Sequence, residues 1–516
     1  MYVIPKPFKE ERGQGFFVFD SSVKISAELP IISSMLNAFC KADVPKGDKA
    51  VEFVRGETEY DYELAVTEKS VTATAATDEG LFHAAVTLIQ LIICADGADA
   101  RIPVCKISDK PRFAYRGLMI DVCRHFFGVE TVKKMIDVMS VFKFNYLHMH
   151  LSDDQGFRLQ IDAMPKLHGH ASKRAQTCGD RKPHGGYYTK AQIAELVKYA
   201  AERFVRIIPE IDLPGHTRAI VSAYPELSCS GKQTDVATWF GIHSKVLCVG
   251  KDTTYDALEK IIGETADMFP CAYFHLGGDE VPKLEWEKCP DCGKVMEENG
   301  LDDYEKLQGY FTNRVIKMLA QRGKTPILWN EALFSDMLDK NAVVQYWEGG
   351  KATAARVAQS VRDENRKVVV SCVRPYYLDY PYGFSSLKSA YMFEPCLESF
   401  GEQGAKGVLG VECPIWTEHV ATEEKLFTQV FPRAIAVAES GWSQGKKDYA
   451  DFEDRLLKVV KLLRSAGISY KPVGKCNPNP ITGAMQMIAF GIKAASKLDR
   501  DSARSARSAQ QHKKKK

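Results

Sequence analysis

From residue 111 onward, short apolar runs alternate with segments whose apolar residues recur every three to four positions. The runs lie at 116–122, 145–152, 205–211, 272–276, 326–330, 342–347, 367–373 and 408–415. Each has the length of a strand, and nearly continuous apolar character suits a strand covered on both faces. Helical periodicity fills the gaps at 131–143, 190–203, 256–268, 304–322, 352–363 and 423–438. In the first of these, Val132, Met135, Ile136, Met139 and Phe142 share one stripe. Repeated strand–helix units of this kind predict an α/β fold, a (β/α)8 TIM barrel. A doubly wound open sheet is the alternative. It would gather polar groups at one switch point, whereas here they follow nearly every strand.

The first 110 residues have a different rhythm. Strand-like stretches at 16–25 and 49–54 precede an alternating pair, 60–66 and 70–76, that reads as a hairpin. A helical stretch follows at 79–92, with Leu81, Ala84, Ala85, Leu88 and Leu91 on one face. No cluster of chemical groups occurs there. The chain therefore divides into a small α+β N-terminal domain at 1–110, a catalytic barrel at 111–470 and a C-terminal extension at 471–516. A last helix is expected over 449–464. The Ser/Ala/Arg-rich tail from Asp499, ending in Lys513–Lys516, is expected to be disordered.

Composition narrows the class. A hydrophobic share of 45% and a charged share of 26% are those of a soluble protein. A net charge of +3, without a basic stripe in the folded part, argues against nucleic acid. No apolar run reaches membrane-spanning length, and the first residues carry no signal-peptide core. A cytoplasmic protein with no membrane partner is the expectation, and the oligomeric state is not legible. The 14 cysteines are scattered, many in apolar runs, and read as buried reduced thiols. Cys289-Pro-Asp-Cys292 is the only CxxC pair and lacks the second half of a zinc site.

The chemistry gathers where the runs end. Cys271-Ala-Tyr-Phe-His275-Leu-Gly277-Gly278-Asp279-Glu280 is an apolar strand that passes through two glycines into two adjacent carboxylates. The strand ends of a barrel's C-terminal face are where its catalysis occurs. Other runs deliver His148, His150, Asp153 and Asp154; Glu210, Asp212 and His216; and Trp329 and Glu331. Later ones bring Trp347 and Glu348; Tyr376, Tyr377 and Asp379; and Trp416 and Glu418. Carboxylates beside tryptophans suit a sugar, whose apolar face stacks on aromatic rings while its hydroxyls donate to carboxylates. A metal-dependent hydrolase using His148-x-His150 is the rival. Same-face histidines pointing into a polar barrel mouth explain that pair equally well.

The ordered set of motifs resembles the family 20 glycoside hydrolases, the β-N-acetylhexosaminidases. It comprises Tyr115–Asp121 with Arg124-His125-Phe126, then residues 150–156, 209–216 and 275–280. Trp329-Asn-Glu331, Gln345-Tyr-Trp347, Tyr377-Leu-Asp379 and Trp416-Thr-Glu418 follow in order. The resemblance covers about residues 10–470. It implies a barrel behind a small N-terminal domain, and an exo-acting retaining hydrolase of terminal β-linked GlcNAc or GalNAc. It implies a glycan substrate, no cofactor and no metal. Glu280 would be the general acid/base, and Asp279, with Tyr377, would hold the acetamido group. Arg116 would bind O3 and O4, Glu418 O4 and O6, and Asp379 O6. Trp329, Trp347 and Trp416 would wall the sugar. Asp153 and His216 would orient Glu280, with His275 nearby.

Arg124, Asp121, Glu210 and Asp212 read equally well as barrel-mouth ion pairs. Neighbours on a strand point to opposite faces, so Asp279 and Glu280 are badly placed to flank one bond. Ordinary retaining glycosidases need two carboxyl groups about 5–5.5 Å apart, and this family is a substrate-assisted exception. Its nucleophile is the substrate's acetamido oxygen, which gives an oxazolinium intermediate. A barrel that binds sugar without catalysis, or a disaccharide-releasing relative, are the alternative functions.

Overall fold

All eight runs form strands in a computed structural model of the chain, and they pair in parallel, in chain order, into one closed barrel. The structure describes residues 1–20, 23–37, 49–95, 100–348 and 350–511. The strands are Tyr115–Asp121, Tyr146–His150, Arg206–Glu210, Tyr273–His275, Thr325–Trp329, Val343–Tyr346, Val368–Val370 and Val408–Ile415. Several helices start where a side chain accepts a hydrogen bond from an orphan backbone amide. Thr189 does so for Lys190–Ala201 in a full capping box with Gln192, Asp303 for Tyr304–Ala320 and Thr422 for Glu423–Val430.

The inward positions of the strands form two unlike layers. At the lower end Tyr115, Ile208, Ile327, Val343 and Val369 make an apolar plug, with Tyr115 stacked on Tyr146 at 4.5 Å. Above it the layer is ionic. His148 Nδ1 lies 3.0 Å from Glu412 and its Nε2 3.1 Å from Glu210. His150 bridges Glu210 and Asp153, and the Trp329 indole N–H donates to Glu210 at 3.0 Å. The His148-x-His150 pair therefore points into the barrel, and carboxylates face its ring nitrogens. Buried charges persist when they are paired in this way.

The N-terminal domain is a six-stranded mixed sheet with Asp78–Cys94 packed on it. The 60–66 and 70–76 hairpin is present as Tyr62–Val66 against Ser70–Ala75. The stretch at 16–25 is instead two strands, Lys9–Phe19 and Lys24–Ser26. The sequence reading missed Ala100–Asp109, whose period-two pattern is broken by Pro103 near a register shift. That strand ends in the interdomain node. Asp109 accepts from Tyr62, from the buried Lys143 ammonium at 2.9 Å and from the Trp442 indole at 3.0 Å. Burial pulls the Lys143 pKa down, against the Asp109 charge that holds the proton.

Two expected helices are each two. Pro432, which has no N–H to give, separates Glu423–Val430 from Arg433–Trp442. The helix expected at 449–464 is Tyr449–Val459 followed by Lys461–Ser465. The C-terminal extension departs most from expectation. Pro480–Ala495 is a helix capped by Asn479, and the segment from Asp499, expected to be disordered, is helical over Ser502–Gln511. It is anchored: Phe240 N–H donates to Lys497, Asp499 N–H to Phe240, and Lys283 N–H to the Ser508 hydroxyl at 3.0 Å. Short residues at 502, 505 and 508 allow that close docking, and composition alone reads them as disorder. Lys513–Lys516 lie outside the described residues.

Candidate active site

The Tyr273–His275 strand is short because the chain turns at once through Gly277 and Gly278, at φ of 65° and 98°. A Cβ on Gly277 would sit 1.7 Å from the Asp212 carboxylate, which accepts the Gly278 N–H at 3.0 Å. Only glycine fits there. The turn lifts Asp279 and Glu280 clear of the strand, and Glu280 itself is held at φ 49°. The strand alternation expected for this pair therefore does not apply. Both carboxylates come to one imidazole: His216 Nε2 is 3.9 Å from Asp279 and 3.7 Å from Glu280. His216 also has left-handed backbone, at φ 51°. Non-glycine residues in that region are strained, and such strain clusters at functional sites.

Behind His216 lies a chain of buried charge. Its Nδ1 is 3.4 Å from both Asp153 and Asp154. Burial disfavours the imidazolium, but the Asp153 carboxylate outweighs it and holds the His216 pKa well above the usual value. Burial likewise opposes ionised Asp153, yet Arg124 and His216 hold that carboxyl well below its usual range. Arg124 Nη2 is 2.8 Å from Asp153 and 4.0 Å from Glu418, and its guanidinium lies 4.9 Å above the Trp416 ring.

These groups surround a cavity of about 270 Å³ at the C-terminal end of the barrel. Trp347, Tyr377 and Trp416 line one part of it. Trp347 is stacked on Tyr377 at 6.0 Å, and Tyr377 lies 6.3 Å from Trp416. The Trp347 indole donates to Glu331 at 2.7 Å. Asp379 and Glu418 line another part. One oxygen each of Asp279 and Asp379 is buried without a protein hydrogen-bond donor, the mark of groups that await a ligand. Burial, with Glu418 nearby, pushes the Asp379 carboxyl up to about 8, and burial raises Asp279 to about 6.

The structure thus brings together Glu280, Asp279, His216, Trp347, Tyr377, Asp379, Trp416 and Glu418, with Asp153 directly behind. Three residues stand elsewhere. Arg116 is near the start of its strand, at the opposite end of the barrel. It donates to the Lys143 and Phe113 carbonyls and lies on Trp442. It cannot bind a sugar at the mouth, and the assignment of O3 and O4 to it is corrected. Arg124, three residues past the same strand's end, is the guanidinium that lines the cavity. Position along the strand was the signal that distinguishes them, because only the C-terminal ends of barrel strands face the site. Trp329 is 1% exposed and backs Trp416 at 5.9 Å without lining the cavity. His275 accepts from the Gly277 N–H at 3.0 Å and packs on Trp329, so it acts on the turn and not directly on Glu280.

The lining residues that came as additions include Phe240, Tyr380, His419, Phe490, Lys497 and Leu498. Phe490 lies 5.2 Å from Tyr380, and the Lys497 ammonium donates to the Glu418 carbonyl. The apolar periodicity of 480–495 behind Asn479 was the available signal for the helix that carries Phe490.

The raised Asp279 pKa has a direct consequence. In the role expected of it at the acetamido group, Asp279 would act as a carboxylate and not as its neutral acid, so kcat/KM should rise as pH increases through about 6. A pH–rate profile flat between about 5 and 7 would count against that role. The raised Asp279 and Asp379 values also cost stability as pH rises from about 4 through about 8. In that window the unfolded chain has released protons that the folded one retains.

A parallel barrel with a mouth of carboxylates and aromatic rings defines a carbohydrate-active enzyme. The sequence profile of glycosyl hydrolase family 20, catalytic domain, matches residues 113–445, and that of glycosyl hydrolase family 20, domain 2, matches residues 1–110. The chain belongs to glycosyl hydrolase family 20. It is 35% identical over 457 residues to a beta-hexosaminidase of Porphyromonas gingivalis, covering 84% of this chain and 57% of that protein. With a beta-hexosaminidase of Akkermansia muciniphila it shares 35% identity over 409 residues, 77% of this chain and 82% of that one. The solved structure of a family 20 β-N-acetylhexosaminidase from Streptomyces coelicolor superposes with a TM-score of 0.81 at 31% identity. That match covers 93% of this chain and 99% of that one.

Proposed function

We propose that this protein is an exo-acting β-N-acetylhexosaminidase. It removes terminal, non-reducing β-linked GlcNAc or GalNAc with retention, by substrate-assisted catalysis. The observation that carries the reading is the convergence of Asp279 and Glu280 on the Nε2 nitrogen of His216, with the aromatic cluster at the same cavity. Asp279 and Glu280 are sequence neighbours on one turn and share one imidazole, an arrangement that suits an acid–base residue beside a group holding the acetamido, and family 20 is a substrate-assisted exception to the paired-carboxylate mechanism.

In this reading Glu280 gives its proton to the leaving oxygen and later takes one from water. Asp279 orients the acetamido N–H, and the acetamido oxygen attacks the anomeric carbon. Tyr377, Trp347 and Trp416 enclose the acetyl group and the sugar face. Asp379, Glu418 and Arg124 hold the hydroxyls remote from the scissile bond. His216, backed by Asp153, keeps the acid–base pair in place.

The test is a pair of aryl glycosides. The β-N-acetylglucosaminide should be cleaved with the β-anomer as first product by NMR, and the β-glucoside should be a very poor substrate. Comparable rates on the two, or the α-anomer first, would refute the proposal.

A further inference from the structure

The Cys289-Pro-Asp-Cys292 pair does not stand alone. Cys229 and Cys248, distant in sequence, meet it, and one sulfur from each of the four lies within 4.8 Å of all the others. Cys248 Sγ is 3.7 Å from both Cys289 and Cys292, and Cys229 Sγ is 3.9 Å from Cys292. All four are free thiols. We propose that these four cysteines bind one structural zinc ion, and that the metal ties together the two loops that carry the acid–base machinery.

The distances discriminate between explanations. A tetrahedral zinc site with metal–sulfur bonds of about 2.3 Å has sulfur–sulfur edges of about 3.8 Å. The three separations above straddle that value. A disulfide would bring a pair to about 2.0 Å. Several irons of an iron–sulfur cluster would spread the thiolates farther apart. Four thiolates with no position left for water make a closed site, which is structural and not catalytic.

The surroundings fit an anionic metal–thiolate centre. Cys289 is the residue before Pro290–Glu298, and Cys292 lies in its first turn, so the positive end of that helix faces the sulfurs. Lys232, Lys245, Lys288 and Arg504, with the carboxylates of Glu285 and Asp501, line an adjoining cavity that Cys229 and Cys289 also border, and its balance is cationic.

The placement gives the metal its purpose. Cys229 and Cys248 belong to the long connection after the third barrel strand, which also bears His216. Cys289 and Cys292 belong to the connection after the fourth strand, which bears Asp279 and Glu280. Leu247, beside Cys248, donates its N–H to the Pro214 carbonyl two residues before His216, and accepts from the Trp286 indole at 2.9 Å. Leu247 and Val249 of one loop and Val281 and Trp286 of the other are buried in the same core as Cys248, Cys289 and Cys292, and a shared ion would add a direct tie between the loops.

The test uses the full-length chain made in zinc-replete cells and purified under reducing conditions. Elemental analysis should find about one zinc per chain, released on mercurial titration of the thiols. Chelator-stripped protein given cobalt(II) should show the intense sulfur-to-metal absorption and tetrahedral d–d bands of a four-thiolate site. Cys229→Ser and Cys292→Ser should each lose most of the zinc and lower the melting temperature. Where a variant folds, kcat should fall more than KM, as expected when His216 and Glu280 lose alignment. The cobalt measurement on the unaltered chain decides the matter if the variants do not fold. Metal-free protein with no cobalt–thiolate absorption, iron in place of zinc, or mapped Cys229–Cys292 and Cys248–Cys289 disulfides would each overturn the assignment.

Discussion

Glu280→Gln should reduce turnover of a substrate with a poor leaving group by about 10²–10⁴-fold, the scale of lost general acid–base catalysis. The amide keeps the shape of the side chain but has no proton to give and cannot take one from water. The strained backbone at Glu280 is set by the Gly277-Gly278 turn and not by its carboxyl, so the variant should fold with an unchanged melting profile. The loss should shrink as the leaving group improves, because an activated phenolate departs with little protonation. Azide added to the variant should also restore part of the rate on activated substrates, since the second step then needs no deprotonated water. A loss equal for good and poor leaving groups would remove Glu280 from the acid role.

The barrel was legible because its strands are buried on both faces and its helices on one, and both conditions write themselves into hydrophobic spacing. All eight strands and the hairpin at 60–76 lie where that spacing put them. The failures have local causes. Pro432 divides a segment whose apolar stripe continues across it, and Pro103 hides a strand of the N-terminal sheet. The helix at Ser502–Gln511 is polar and small-residued, and forms against Gly241, Ile242 and Lys283 of distant loops. A partner so remote leaves no trace in local pattern.

The site was legible in part for a similar reason. Asp279, Glu280, Trp347, Asp379, Trp416 and Glu418 follow strand ends, and topology alone takes them to the mouth. Arg116 and Arg124 bracket the same strand, and direction along it sends one to the floor and the other to the pocket. The four cysteines show the limit most clearly. Two loops must fold before Cys229 and Cys248 meet Cys289-x-x-Cys292, so the CxxC pair looks incomplete until the third dimension supplies its other half.

Asp279→Asn should lower turnover by about 10²–10³-fold, the cost of removing one preorganised electrostatic partner from a buried site. The reason is specific to a nucleophile that belongs to the substrate. When the acetamido oxygen attacks, its nitrogen becomes positive, and a carboxylate beside it gains interaction that the ground state lacks. Asp279 suits this: it is buried, shares His216 with Glu280, and has one oxygen without a protein donor. A thiazoline that mimics the oxazolinium should bind the native protein far more tightly than product does. The Asn variant should lose that binding in proportion to turnover, while its affinity for product changes little. A residue of merely structural importance would shift the melting temperature first and weaken both ligands alike. Rapid-quench mass spectrometry on the native protein supplies the opposing outcome. A sugar attached to Asp279 or any other carboxylate during turnover of a 2-acetamido substrate would end the substrate-assisted account. An unmodified chain throughout turnover, with thiazoline affinity tracking rate across substitutions at Asp279, would leave the acetamido group as the nucleophile.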